Sequence, residues 1–210
     1  MPVYLDIARL LRGLKMKRPM YAIGIGASGV DGLKDICQLL ERWPESIDAS
    51  VFIVLHRPSD KVSYLAEVLR RRSRLSVVVA TNGMRTQAGV CYVTESSQVL
   101  SIDRNEAIAC LDGSSNRYRN RTVDVLFESL AASVGKRAVG IVLSGSLADG
   151  SKGLAAIHQA GGLTMVLDPG CKPRGMQQNA IDYDGPITYI ESVDGLLVAL
   201  DGDFGNRGSR

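Results

Sequence analysis

The chain has 210 residues, 45% apolar and 22% charged, enough for one well-buried domain. A net charge of +3 is too small to argue for nucleic acid, two histidines exclude a histidine-rich metal site, and four cysteines without CxxC spacing exclude a thiolate metal framework. No apolar run reaches the roughly 20 residues of a membrane span and no signal-peptide order opens the chain, so a cytoplasmic protein with reduced thiols, no metal and no cofactor is expected.

Residues 1–19 place Val3, Tyr4, Ile7, Leu10, Leu11 and Leu14 at helical spacing among basic residues, and Pro19 ends the pattern. This predicts a basic amphipathic extension that packs on the domain or docks a signalling partner. Its apolar face is too short for membrane insertion. Residues 20–200 form the expected domain. Tyr21 to Ile25 reads as a strand buried on both faces, running into a glycine turn with Ser28 at its tip and then a helix from Asp31 to Arg42.

A second buried strand, Ala49 to Leu55, ends in His56-Arg-Pro58. A helix from about Lys61 to Arg72 and a short strand from Leu75 to Ala80 follow. Val90–Val93, Val99–Ile102 and Ala107–Leu111 alternate with period two between turns, which predicts an inserted antiparallel meander or hairpin. A helix spans Arg121 to Val134, and a third long strand, Ala138 to Leu143, ends in Ser144-Gly-Ser-Leu-Ala-Asp-Gly150. After it come a helix to Ala160, a strand from Leu163 to Leu167, a short helix near Met176 to Ile181, a strand from Ile187 to Ile190 and a helix from Val193 to Leu200. Residues 201–210 are Gly-rich and polar, and are expected to be a disordered tail. This alternation is the pattern of an α/β fold: a Rossmann-like, doubly wound, mostly parallel sheet with an antiparallel insertion.

In such a sheet, sites form at the carboxyl ends of strands. Three long strands end at or near Ser28, His56 and Asp149. A hydroxyl, an imidazole and a carboxylate are the parts of base-assisted acyl transfer: the imidazole takes the hydroxyl proton, and the carboxylate orients and stabilises the ring. Each has a structural alternative. Ser28 can be a turn residue and helix N-cap, His56 can bond a strand-end carbonyl, and Asp149 can cap the helix beside it. His158, mid-helix, reads as surface or packing.

A nucleotide-binding reading competes, because Gly24-Ile-Gly-Ala-Ser-Gly29 matches G-x-G-x-x-G between a strand and a helix. The acid that this fingerprint wants at the end of the second strand is replaced by His56-Arg57, and no Walker lysine occurs. Two arginine clusters, Arg70, Arg71, Arg72 and Arg74, then Arg117, Arg119 and Arg121, are either solvated faces or a surface for an acidic partner.

The combination resembles the catalytic domain of the chemotaxis protein-glutamate methylesterase (CheB) family. The resemblance runs through Ile25-Gly-Ala-Ser28, Val54-Leu-His56-Arg-Pro58, Asn82-Gly-Met84, Gly89-Val-Cys-Tyr-Val93, Thr122-Val-Asp-Val-Leu-Phe127, Ala138 to Gly145, Asp149-Gly150, Ala160-Gly-Gly162 and Gly175-Met176. It implies a catalytic triad of Ser28, His56 and Asp149, with backbone near Gly29 or Met176 receiving the oxyanion. It further implies hydrolysis of glutamyl methyl esters on chemoreceptor helices, with glutamine deamidation as a second activity. The expected partner is therefore a methylated chemoreceptor or a similar acidic helical protein, in chemotaxis-type signal transduction. Family members often carry a receiver domain at their N-terminus. Residues 1–19 are too few for one, so a domain standing without a receiver is expected.

The chain departs from the family pattern in a shortened turn after Ser28, in Glu95-Ser-Ser-Gln98, in Leu147 and in Gln177. These departures leave open a second reading, a weakened CheB-like binding or regulatory module.

Overall fold

Strand β1, Tyr21–Ser28, is central because both of its faces are covered. The computed structural model describes residues 19–57, 64–113, 121–146, 148–171, 174–183 and 185–205. Seven strands form one parallel sheet in the order β3-β4-β2-β1-β7-β8-β9. Their bounds are β2 Ala49–His56, β3 Ser76–Val79, β4 Val90–Val93, β7 Ala138–Val142, β8 Leu163–Leu167 and β9 Tyr189–Glu191. Strands β5 Gln98–Ile102 and β6 Ile108–Asp112 pair antiparallel as a separate hairpin.

The insertion is thus smaller than the period-two pattern suggests. Val90–Val93 is buried throughout and joins the main sheet in parallel, while only the next two runs pair with each other. Strand periodicity reports that one face is buried, not which neighbour supplies the hydrogen bonds.

Helices cover both faces. The odd-numbered residues of β1 pack with α1 Gly29–Glu41, α2 Leu65–Arg70 and α6 Val193–Gly205 through Ile36, Leu39, Leu69, Leu196 and Leu200. The opposite face meets α3 Thr122–Val134, α4 Ser151–Gln159 and α5 Met176–Ile181 through Val123, Phe127, Leu154 and Met176. The hairpin lies on α3, where Ser129 Oγ accepts from Ile102 N (3.1 Å) and Ser133 Oγ donates to Ile102 O (3.1 Å).

Helix α6 continues to Gly205, so the first five residues of the expected tail are helical, with Phe204 in the core. The amphipathic extension falls, except for Pro19, outside the described residues, as do Pro58 to Ser63, Arg117, Arg119, Leu147 and residues 206–210.

Candidate active site

The alternation of β1 and β2 decides where the site forms. Ala22 on β1, and Phe52 and Val54 on β2, pack on the α3 side of the sheet, and Ser28 and His56, an even number of residues further along their strands, point to the same face. Ser28 and His56 are register partners on adjacent parallel strands, so their Cβ atoms leave the sheet on the same face. Ser28 occupies the N-cap position of α1 in an extended conformation, yet its hydroxyl makes no capping bond. Among the described residues Ser28 Oγ has no hydrogen-bond partner, while Ser28 N donates to Ser144 O at 3.0 Å.

Asp149 completes the group. It is fully buried, and its Oδ2 lies 2.6 Å from His56 Nε2. Oδ2 also accepts from Val123 N, and Oδ1 from Asp124 N, both at 2.9 Å. These are free amides of the first turn of α3, where the helix dipole favours a negative charge. Asp149 therefore caps α3, not the helix that follows it in sequence. Nor is His56 held by a carbonyl, because its Nε2 faces a carboxylate. With Nε2 so engaged, Nδ1 is the ring nitrogen left without a partner among the described residues.

A cleft of about 450 Å³ opens beside Ser28, lined in part by Gly29, Val30, Asp31, Gly145 and Arg174. It lies outside the carboxyl ends of β1 and β7. There the chain order reverses, with β2 on one side of β1 and β7 on the other, which is where open α/β sheets hold ligands. Gly145 presses on the serine: a Cβ there would lie 2.7 Å from Ser28 Cβ and 2.3 Å from Met176 Sδ.

Met176, expected as an oxyanion donor, is not placed for that role. Its amide donates to Gly145 O at 2.8 Å and the residue is fully buried. Gly29, the first residue of α1, remains, with its amide at the helix N-terminus beside the serine.

The nucleotide reading is overturned by packing. Gly24 and Gly26 lie inside β1, not in a phosphate-binding turn. A Cβ on Gly26 would come within 2.3 Å of Val123 Cγ1, and one on Gly24 within 2.8 Å of Phe127 Cε1 and Leu130 Cδ1. Both glycines exist to let α3 approach the sheet. That approach puts the α3 N-terminus where Asp149 can reach it.

Several polar residues around the site have no clear signal in sequence. Asp35, buried on α1, accepts from Ser144 N through Oδ2 at 3.2 Å, and buried Gln177 donates Nε2–H to Ser144 Oγ at 3.3 Å. Ser144 thereby ties α1 and α5 to the peptide beneath Ser28. Arg57 donates to Leu55 O (3.1 Å) and Thr94 O (2.6 Å), joining the end of β2 to the loop after β4. Burial pulls its guanidinium below the ordinary value, opposed by Glu95. Asp124, an unremarkable first-turn acid in the sequence, is buried and accepts from Gly150 N and Gly153 N at 3.0 and 2.9 Å. His158 is exposed on α4 and takes no part.

Comparison with known proteins gives the family and the fold. The family profile described as CheB methylesterase matches residues 23–197. The chain is 30% identical over 190 residues to a probable protein-glutamate methylesterase of Borreliella burgdorferi, covering 86% of this chain and 50% of that protein. It is 32% identical over 176 residues to the protein-glutamate methylesterase/protein-glutamine glutaminase of Salmonella typhimurium, covering 82% and 49%. A Chromobacterium violaceum protein described as protein-glutamate methylesterase/protein-glutamine glutaminase 1 is 29% identical over 206 residues, covering 95% and 56%. The chain thus spans about half the length of the curated relatives it matches. The crystal structure of the Thermotoga maritima CheB methylesterase catalytic domain superposes with a TM-score of 0.75 at 23% identity, covering 88% of this chain and 97% of that one, which shows the same fold. The chain belongs to the CheB methylesterase family.

Proposed function

We propose that this chain is a serine hydrolase that removes methyl esters from glutamates of chemoreceptor-like proteins, with glutamine deamidation as a second activity. The observation that carries the reading is the 2.6 Å contact from His56 Nε2 to buried Asp149, made by the ring that is the register partner of Ser28. Ser28 Oγ attacks the ester carbonyl while His56 Nδ1 takes its proton. The oxyanion is received by the Gly29 amide at the α1 N-terminus. Collapse expels methanol, which leaves with the proton from His56. Water, deprotonated by the same ring, then releases the glutamate carboxylate. Asp149 keeps the proton of the resting ring on Nε2 and stabilises the imidazolium.

The substrate side is argued from the mouth of the cleft. Val30 is 84% exposed beside the serine, an apolar contact for a helical substrate. Arg70, Arg71, Arg72 and Arg74 are exposed on and after α2, a surface suited to an acidic partner in the cytoplasm. Part of that cluster is engaged internally, since Arg72 pairs with Glu41 and Arg70 Nε donates to Val77 O. Among the described residues no helix is long and apolar enough to cross a membrane.

The unbonded Ser28 hydroxyl favours the rival reading, a folded regulatory module without chemistry. Catalytic hydrogen bonds are often open before substrate binds. Methanol release from methylated receptor, abolished in Ser28→Ala with the fold intact, is the result expected of the hydrolase. A folded wild-type chain that neither releases methanol nor labels with a fluorophosphonate would establish the module.

A further inference from the structure

The stretch Thr122-Val-Asp-Val-Leu-Phe127 belongs to the family resemblance, yet the reaction above leaves Asp124 without a role. We propose that Asp124 is a positioning residue for Asp149: the two carboxylates exchange helix caps, and the exchange holds the triad acid against His56.

The bonds close a loop. Asp149 accepts from Val123 N and Asp124 N, free amides in the first turn of α3. Asp124 Oδ1 reaches back to accept Gly150 N and Gly153 N, at the start of α4. Residues 123–124 and 149–150 are each consecutive, so neither turn can slide without breaking bonds made by the other. All four bonds are buried, where an orphaned amide is costly.

An isolated cap would not need this arrangement, since serine, threonine or asparagine caps a helix as well. Here two carboxylates share one buried junction. Burial pushes the Asp124 carboxyl up, the Gly153 amide opposes it, and the Asp149 charge adds to the rise. What the pair supplies is registration. The Asp149–Gly150 peptide is fixed to α3, and α3 is seated on Gly24 and Gly26 of β1, the strand that ends in Ser28. All three triad residues are thereby referred to one rigid body. A displacement of about 1 Å at such a site can lower the rate about a hundredfold.

The proposal rests on the triad reading, so its test includes a measurement that does not need activity. The chain holds only two histidines, and the ring 15N resonances of His56 can be assigned against His56→Gln. In the full chain the Nε2–H tautomer is expected. In Asp124→Ala the ring should become a tautomer mixture, and kcat for methanol release and the fluorophosphonate labelling rate should fall about 10- to 100-fold with KM unchanged. Asp124→Asn keeps the accepting oxygen and should restore both to within about fivefold. Should Asp124→Ala not fold, Asp124→Ser carries the same expected losses, because its hydroxyl sits one bond short of the carboxylate oxygen that accepts both Gly150 N and Gly153 N across the junction. Unchanged ring resonances and labelling in the Ala or Ser variant overturn the proposal, and so does an Asn variant as impaired as Ala. A wild-type chain that never labels would remove the hydrolase reading alone, and the ring resonances would still decide the role of Asp124.

Discussion

Ser28 and His56 are joined by the sheet itself: they are partners at the last rung of the β1–β2 ladder, on the same face. Adjacent strands lie about 4.8 Å apart, so the spacing of the two residues' Cβ atoms is set by backbone hydrogen bonds, and the rotamers decide how close hydroxyl and ring come. The third member comes from the far side of β1, and its position depends on α3. Perturbing each support should therefore have a distinct signature.

Asp149→Asn is expected to lower kcat by roughly 10³- to 10⁴-fold, because an amide in place of the carboxylate no longer holds the ring in the required tautomer. Asp149 accepts three donors, from His56, Val123 and Asp124. An asparagine NH₂ must face at least one of them, so folding stability should drop by about 1–3 kcal/mol. Chemical denaturation together with steady-state kinetics checks both effects. A variant with full stability and lost activity would mean the first-turn amides of α3 do not matter.

Gly145→Ala tests the packing over the nucleophile. Its Cβ would lie 2.7 Å from Ser28 Cβ and 2.3 Å from Met176 Sδ, closer than real contacts allow. The serine or Met176 must move. The fluorophosphonate labelling rate should fall about a hundredfold, and the melting temperature should fall too.

Gly26→Ala separates the two readings of the glycine turn. The added methyl would meet Val123 Cγ1 at 2.3 Å and push the N-terminus of α3 off the sheet, at a cost of about 1–3 kcal/mol. Wild-type and variant chains alike should show no thermal shift with NAD or NADP. A dinucleotide shift in the wild type, lost in Gly26→Ala, would restore the nucleotide reading.

Thiol chemistry should follow burial. Cys171 is exposed, whereas Cys37 and Cys91 are buried and burial pushes both thiols up. At neutral pH an aromatic disulfide reagent should modify Cys171 first, and Cys91 only on unfolding. Burial also moves Tyr92 up to about 12. The folded chain holds these protons more tightly than the unfolded one, so stability should fall as pH rises, from about pH 9 for Cys91 and from about pH 10 for Tyr92. Each group contributes a slope of up to about 1.4 kcal/mol per pH unit within its window. Flat stability between pH 9 and 11 would contradict this.

Ser28 and His56, which close β1 and β2, and Asp149, in the loop after β7, stood out in the chain because a buried parallel strand announces itself as a continuous apolar run, and its carboxyl end is where side chains can meet a ligand. Ser28, His56 and Asp149 could be named as candidates on that ground, each with a structural alternative, and so could the alternation of strands and helices. The element ends were less exact. Helix α1 begins at Gly29, two residues before the apolar pattern shows it, and α6 runs five residues past Leu200.

What the linear chain determined, then, is a set of elements and the chemical groups at their ends, since periodicity and composition are local properties. Which groups touch is a property of three-dimensional packing. That Asp149 caps α3 and not its own helix, that the Met176 amide serves Gly145, and that Gly24 and Gly26 admit a helix and not a phosphate all involve partners about 25 to 105 positions apart. No local pattern encodes such distant contacts, because only the folded sheet brings those partners within hydrogen-bond or van der Waals reach.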